Sequence, residues 1–238
     1  MIAVRHLAKY YGRFTALRDL NLDIGDGECV VLFGRNGAGK TTFLRILAGL
    51  TRPSSGSFRI RTPDGKTPRR PRGLIGYISH NTSLYPDLTA LENLRFFAGL
   101  MNTQADDAAL IRLIEEAGLS GREREPARNY SRGMQQRLGI ARAFLHDPSI
   151  LLLDEPFTGL DQTGFDFLRE RLRRAGAEGK TCVMALHDLE LGCALADRIV
   201  VIEKGVAALD AAKDSITPGS FSETYKNIIG QSETITRV

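Results

Sequence analysis

Apolar residues along the chain fall in short runs divided by glycine, proline and charge. Over residues 1–33, Val4, Leu7, Leu17, Leu20, Leu22 and Ile24 are apolar, with turns at Tyr11-Gly12 and Gly25-Asp26-Gly27, which predicts short strands. Residues 29–33, Cys-Val-Val-Leu-Phe, are apolar throughout, as a strand buried on both faces would be. Phe43, Leu44, Leu47 and Leu50 have helical spacing, so residues 41–50 predict a helix with Gly49 near its end. Residues 56–79 predict a strand pair turning at Asp64-Gly65, with 74–78 as the return strand. Helical spacing resumes over about 89–119 and again over 131–146, where Ser131 opens the helix. A buried strand at 150–153, an arginine-laced helix at 164–175, a strand at 181–186, a helix at 189–196 and a strand at 199–202 come next, then a weakly patterned tail. Strands alternating with helices predict an α/β domain with a largely parallel sheet.

Composition narrows this little. The chain has 238 residues, enough for one sizeable core and short for two independent domains. The net charge of +4 fits solubility better than a nucleic-acid surface, and no aromatic residues interleave with the basic stretch at 69–72. Cys29, Cys182 and Cys193 are odd in number, and two lie in apolar runs, which predicts small buried thiols in a reducing compartment. No Cys/His cluster has metal-ligand spacing, and His6 and His146 are expected to be structural or surface residues. No apolar stretch approaches the ~20 residues of a membrane helix. A soluble chain is expected, with other chains spanning the membrane if it works at one.

Candidate chemistry begins at Gly34-x-x-x-x-Gly39-Lys40-Thr41, between a predicted strand and a predicted helix. Glycines let a backbone curl round a polyphosphate with its N–H groups inward, and the helix N-terminus adds a positive dipole end. Lys40 supplies a charge for the outer phosphates, and the Thr41 hydroxyl suits Mg²⁺. A second element is the apolar strand that ends in Asp154-Glu155. A carboxylate at a strand's carboxyl end faces the crevice where α/β sheets bind ligands. Asp154 is placed to hold the Mg²⁺ shell and Glu155 to polarise an attacking water. Together these predict a nucleotide triphosphatase. No Asn-Lys-x-Asp guanine-reading motif is present, which disfavours a GTPase.

Beyond these elements, Tyr130-Ser131-Arg132-Gly133-Met134-Gln135-Gln136-Arg137 resembles the signature of ABC-transporter ATP-binding subunits, usually Leu-Ser-Gly-Gly-Gln. Ser131 and Gly133 match, while Tyr130, Arg132 and Met134 depart from it in the manner of export-type ATPases. The resemblance covers about residues 2–230. It implies a P-loop NTPase fold of the ABC type, with an N-terminal antiparallel β subdomain and a helical subdomain at about 88–145. The ATP-binding domain would occupy 1–230, with a tail at 231–238. Family contacts to ATP fall on Tyr11 (or its neighbour Tyr10) at the adenine, and on Gly34, Asn36, Gly37, Ala38, Gly39, Lys40, Thr41 and Thr42 at the phosphates. From a second copy they fall on Ser131, Gly133, Gln135 and Asp161. The resemblance makes Glu155 the catalytic base, puts His187 at the γ-phosphate, and implies Thr41 and Asp154 as Mg²⁺ ligands.

One position departs from the pattern. Where the family has Gln after the strand at 74–78, this chain reads Ser79-His80-Asn81, so His80 takes the Gln position near metal and water, and Asn81 offers the missing amide. That feature and the segment at 85–96 resemble the ATP-binding subunit of the haem exporter used in cytochrome c maturation. The implied partners are transmembrane permease subunits and a second ATP-binding subunit, a copy or a relative, at the cytoplasmic face of the inner membrane. The alternative is a soluble ABC ATPase acting on ribosomes or DNA. Those usually carry tandem cassettes or inserted arms, which this sequence lacks.

Overall fold

The structure, a computed structural model, describes residues 1–62, 65–67, 71–79, 81–216 and 218–234. Asp64, Arg69, Arg70, His80 and the last residues of the tail, 235–238, lie outside them. The elements in the first third of the chain are β1 (Ile2–Tyr11), β2 (Phe14–Ile24), β3 (Cys29–Phe33), α1 (Lys40–Leu47) and β4 (Ser55–Ile60). Next come β5 (Ile75–Ile78), α2 (Ala90–Leu100), α3 (Asp107–Glu116), α4 (Arg132–Phe144), β6 (Ile150–Asp154) and α5 (Gln162–Ala177). The last are β7 (Thr181–Ala185), α6 (Leu189–Leu195), β8 (Arg198–Glu203), β9 (Val206–Ala212) and α7 (Pro218–Thr234). They divide into two units: Met1–Pro71 with Leu152–Glu155 and Thr181–Val238, and Arg72–Leu151 with Pro156–Lys180.

Unit one contains two sheets. In the first, the order is β2-β1-β4, antiparallel throughout. Its apolar positions, Ile2, Val4 and Leu7 on β1 and Leu17, Leu20, Leu22 and Ile24 on β2, are buried. In the second, strands run in the order β6-β7-β3-β8-β9. β3 is parallel to β7 and β8, and β9 closes the edge antiparallel. Residues 30–33, 183–186 and 199–202 are buried, because a strand inside a parallel sheet is covered on both faces. Cys29 and Cys182 face each other in the β3–β7 register, and all three thiols are free.

Unit two is mostly helical. α2 opens with a capping box in which Thr89 and Glu92 satisfy each other's backbone N–H groups. Asn93, fully buried, accepts from the Tyr85 N–H and donates to the carbonyls of Tyr85, Leu88 and Thr89, organising the turn ahead of that helix. Leu94, Leu110, Ile114 and Leu138 form the core of α2, α3 and α4. β5 neighbours β6, whose opening residues, Ile150 and Leu151, belong to this unit.

Several expectations need correction. β1 and β2 are not short: they have 10 and 11 residues, with register shifts in β1 that re-aim its side chains. β4 and β5 do not form a hairpin, because β4 pairs with β1 in the register Ile2↔Ile60, and β5 neighbours β6. The helix expected over 89–119 is two helices, ended by the cap at Met101 and restarted by the Asp106 side chain, which accepts from the Ala109 N–H. The tail is structured as β9 and the 17-residue α7. Among the described residues, no helix is long and apolar enough to cross a membrane.

Candidate functional site

In unit one, β3 ends at Phe33 and the chain turns sharply at Gly34. Its φ of 148° and the Ile202 carbonyl, 2.1 Å from where a Cβ would stand, restrict this position to glycine. Arg35, Asn36 and Gly37 are exposed, and the loop closes with the Ala38 N–H donating to the Arg35 carbonyl at 3.1 Å. Gly39 has a φ of 114°, and a Cβ there would lie 2.4 Å from the Ala16 carbonyl oxygen. It is the N-cap of α1, with no side chain capping that end, so the N–H groups of the first turn, at Lys40, Thr41 and Thr42, face the loop unclaimed by a cap. An uncapped helix N-terminus inside a curled loop suits an anion.

Lys40 is 6% exposed, and its ammonium donates to the Gly34 carbonyl at 2.6 Å and the Arg35 carbonyl at 3.3 Å. Burial lowers its pKa, and the carboxylates of Glu155 and Asp154 oppose that shift. Asp154, 2% exposed at the end of β6, accepts from the Thr41 hydroxyl at 3.0 Å. This places a hydroxyl and a carboxylate oxygen side by side beside a phosphate-suited loop. Hard oxygen donors, few in number and next to phosphate, are the set Mg²⁺ takes.

Glu155 comes directly after it with a φ of 52°, a left-handed backbone that costs a non-glycine residue about 1 kcal/mol or more. Its N–H donates to the Ala185 carbonyl at 3.1 Å, which holds the turn against β7. The side chain is half-buried, and Nε2 of His187 lies 3.1 Å from its Oε1. Burial lowers the pKa of His187, the Lys40 charge lowers it further, and Asp154 partly offsets both. The imidazole is therefore neutral at neutral pH and lies beside the carboxylate.

Tyr11 stands at the tip of the β1–β2 hairpin, opposite Phe14 and exposed, with the Lys9 ammonium 4.9 Å from its ring centroid. Tyr10 pairs instead with Thr15, and alternation along the strand sends its side chain to the opposite face. Unit one thus brings together the loop 34–42, Asp154, Glu155 and His187.

Unit two holds the other expected residues. Ser131 is the N-cap of α4 and accepts from the Met134 N–H at 3.3 Å. Tyr130 is buried, its hydroxyl donates to the Arg122 carbonyl at 2.7 Å, and burial pushes its phenol up to about 12. A Cβ on Gly133 would meet Asp161 Oδ2 at 3.5 Å, so these two residues are neighbours. Asp161 caps α5, accepting from the Gly164 N–H at 2.8 Å. The Gln135 amide turns inward to the Ala127 carbonyl at 3.0 Å. Asn81 serves its own turn, accepting from the Ser83 N–H at 3.0 Å, and His80 lies outside the described residues.

Sequence reasoning missed Gln136 and Arg137. Gln136 donates to the Thr158 carbonyl at 2.6 Å. Arg137, 8% exposed, donates to the Ala117 and Gly118 carbonyls at 3.2 and 2.9 Å and stands 3.6 Å from Asp161. They tie the signature helix to the segment 158–161 and to the end of α3. The only available signal was the pair of long polar side chains directly after the signature.

A glycine loop on an uncapped helix, with an adjacent lysine, two strand-end carboxylates and a neutral histidine, defines a nucleotide triphosphatase of the phosphate-binding-loop class. The profile of one family, ABC transporter, matches residues 17–158. The sulfate/thiosulfate import ATP-binding protein CysA 2 of Rhizobium meliloti is 38% identical over 240 residues, covering 97% of this chain and 65% of that protein. The Nod factor export ATP-binding protein I of Cupriavidus metallidurans is 36% identical over 209 residues, covering 86% of this chain and 69% of its own. The chain thus spans about two thirds of the length of these two relatives. A solved structure described as a dimeric post-hydrolysis state of the ATP-binding cassette MJ0796 bound to ADP and Pi superposes with a TM-score of 0.77 at 27% identity, over 90% of this chain and 99% of that one. The chain belongs to the ABC transporter family. It is an ATP-binding subunit of that family and an ATPase.

Proposed function

We propose that this subunit powers an exporter, closing as a pair around two ATP molecules and opening on hydrolysis. The observation that carries the hydrolytic part of the reading is the grouping of Lys40, Thr41, Asp154, Glu155 and His187 in one unit. In each site the loop 34–42 and Lys40 hold the phosphates, and the adenine stacks on Tyr11. Thr41 and Asp154 hold Mg²⁺, which supplies charge neutralisation at the phosphates. Glu155 takes a proton from the attacking water as its oxygen bonds to the γ-phosphorus and the bond to ADP breaks. Neutral His187 donates to the γ-phosphate from Nε2–H. Ser131, Gly133, Gln135 and Asp161 of the second copy complete the site, with the N-terminus of α4 offering N–H groups to the phosphates.

The ATP-binding domain takes residues 1–230 with its helical subdomain at about 88–145, and the subunit sits at the cytoplasmic face of the membrane on permease subunits. Export rests on the form of the signature at Tyr130, Arg132 and Met134. The relatives named above include one import and one export protein and do not choose between the two directions. The narrowest part of the proposal, a haem cargo, rests on His80 and the segment 85–96.

The test is to tag the Glu155→Gln protein, solubilise native membranes with ATP present and identify what co-purifies. Co-purification of an export permease is the expected result, and a haem-handling permease supports the narrow form. An import permease overturns export. Ribosomal or DNA-bound partners without a permease overturn transport.

A further inference from the structure

The end of the chain belongs to none of the motifs above, yet it reaches the root of the phosphate loop. α7 lays Phe221 and Tyr225 against Phe33, the last residue of β3, with ring centroids 5.1 and 6.3 Å away. Phe221 and Tyr225 are themselves 6.0 Å apart. Phe33 and Phe221 are each 1% exposed. Gly192 of α6 also packs on the Phe33 ring, so closely that a Cβ would come within 2.3 Å of it. The ring is clamped between two helices, and close packing leaves it no alternative seat.

The clamp matters because Phe33 is the last fixed point before the loop. Gly34 is wedged against the Ile202 carbonyl, and the carbonyls of Gly34 and Arg35 receive the Lys40 ammonium. Any shift of Phe33 shifts the acceptors that aim Lys40. Tyr225 reaches the same neighbourhood: burial raises its phenol, Glu203 adds to this, and Arg35 of the loop opposes it.

We propose that Phe221 and Tyr225 are positioning residues for the nucleotide: α7 braces Phe33, fixes the loop carbonyls that orient Lys40, and so sets the affinity for the polyphosphate. The inference rests on the nucleotide reading of the loop. Its test titrates ADP with Mg²⁺ calorimetrically into the full chain and into Phe221→Ala, Tyr225→Ala, Phe221→Leu and Leu20→Ala. Leu20 is buried in the β1–β2 sheet and supplies a core loss away from the clamp.

Phe221→Ala should bind about tenfold more weakly, a change of about 1.4 kcal/mol. Tyr225→Ala should move the same way by less, and Phe221→Leu should recover most of the affinity. Leu20→Ala should lower the melting temperature while binding as the unaltered chain does. In steady-state hydrolysis, Phe221→Ala should raise KM for ATP with kcat within about twofold, the mark of lost uniform binding. Unchanged affinity in both α7 alanine variants overturns the proposal, as does an equal loss in Leu20→Ala. If Phe221→Ala does not fold, Tyr225→Ala decides by the same criterion. An unaltered chain that takes no nucleotide overturns the nucleotide reading itself, a failure separate from loss of the brace.

Discussion

Nε2 of His187 lies 3.1 Å from Oε1 of Glu155, joining the residue after β6 to the second residue after β7. Both strands are buried and anchored in the sheet, so neither side chain has to search for the other. A carboxylate held beside a neutral imidazole by two anchored strands is placed before any water arrives. The free energy of ordering it is part of folding and not of the reaction.

Replacing Glu155 with glutamine keeps the shape and removes the proposed base. Hydrolysis should fall by about 10²–10⁴-fold, the usual worth of a general base. Nucleotide affinity should stay within about threefold of the unaltered chain, well under the tenfold step that 1.4 kcal/mol represents. Phosphate release and calorimetric titration give the two numbers, and a variant that hydrolyses at the unaltered rate refutes the role assigned to Glu155.

The His187 pKa is lowered in the folded chain, so the sign of its pH dependence is fixed. An unfolded imidazole takes its proton near pH ~6.5, before the folded one does. Its contribution to stability is therefore complete above that value and is lost as pH falls from there through the lower folded pKa. Hydrolysis should fall on the same acid limb as the imidazole charges beside Lys40. His187→Gln, which does not titrate, should lower the rate and flatten that limb; a limb of unchanged shape assigns the titration to another group.

The loop glycines should differ in cost. Gly34→Ala combines an unfavourable φ with a clash against the Ile202 carbonyl and should cost on the order of 3 kcal/mol of stability or prevent folding. Gly37→Ala meets nothing within 4 Å, and its φ of 82° costs roughly 1–2 kcal/mol. Denaturant melts of the two variants should rank in that order, and equal costs would show that the Ile202 contact yields.

Tyr11→Ala should weaken nucleotide binding by the worth of one aromatic–base stack, about 1–3 kcal/mol. Tyr10→Ala, on the other face of β1, should leave binding unchanged. Reversed effects would move the adenine to Tyr10.

Arg137→Ala should strip the Ala117 and Gly118 carbonyls, just after α3, of their donor and cost roughly 1–3 kcal/mol, the penalty of leaving the buried Ala117 acceptor unmade. Lysine at this position reaches with one ammonium where the guanidinium fork reaches several acceptors, and should recover only part of the loss. Full recovery in a chemical melt would argue for a point charge in place of the fork.

The phosphate loop was legible because its chemistry is local. A buried strand, spaced glycines and a helix start are all written within about a dozen consecutive residues, and Asp154-Glu155 is marked by the apolar run before it. Ser131 was legible as a cap for the same reason, whereas the cap at Asp161 emerged only from the structure. β4 was misassigned because its partner, β1, lies some fifty residues away, whereas the nearby Asp64-Gly65 pair reads in the sequence as the turn of a local hairpin. α7 left little trace because its inward positions, among them Phe221 and Tyr225, are spread thinly among serine, threonine and asparagine. Arg137 was invisible in principle. A buried arginine and an exposed one are the same letter, and only the carbonyls around it, contributed from twenty residues upstream, tell them apart.

The left-handed backbone at Glu155 has a consequence for inheritance. Glycine there would relax the turn and remove the proposed base in a single change, yielding a chain expected to fold at least as well and to hydrolyse nothing. Endurance and activity are therefore opposed at this position. A lineage screened only for durable protein would drift toward losing the carboxylate.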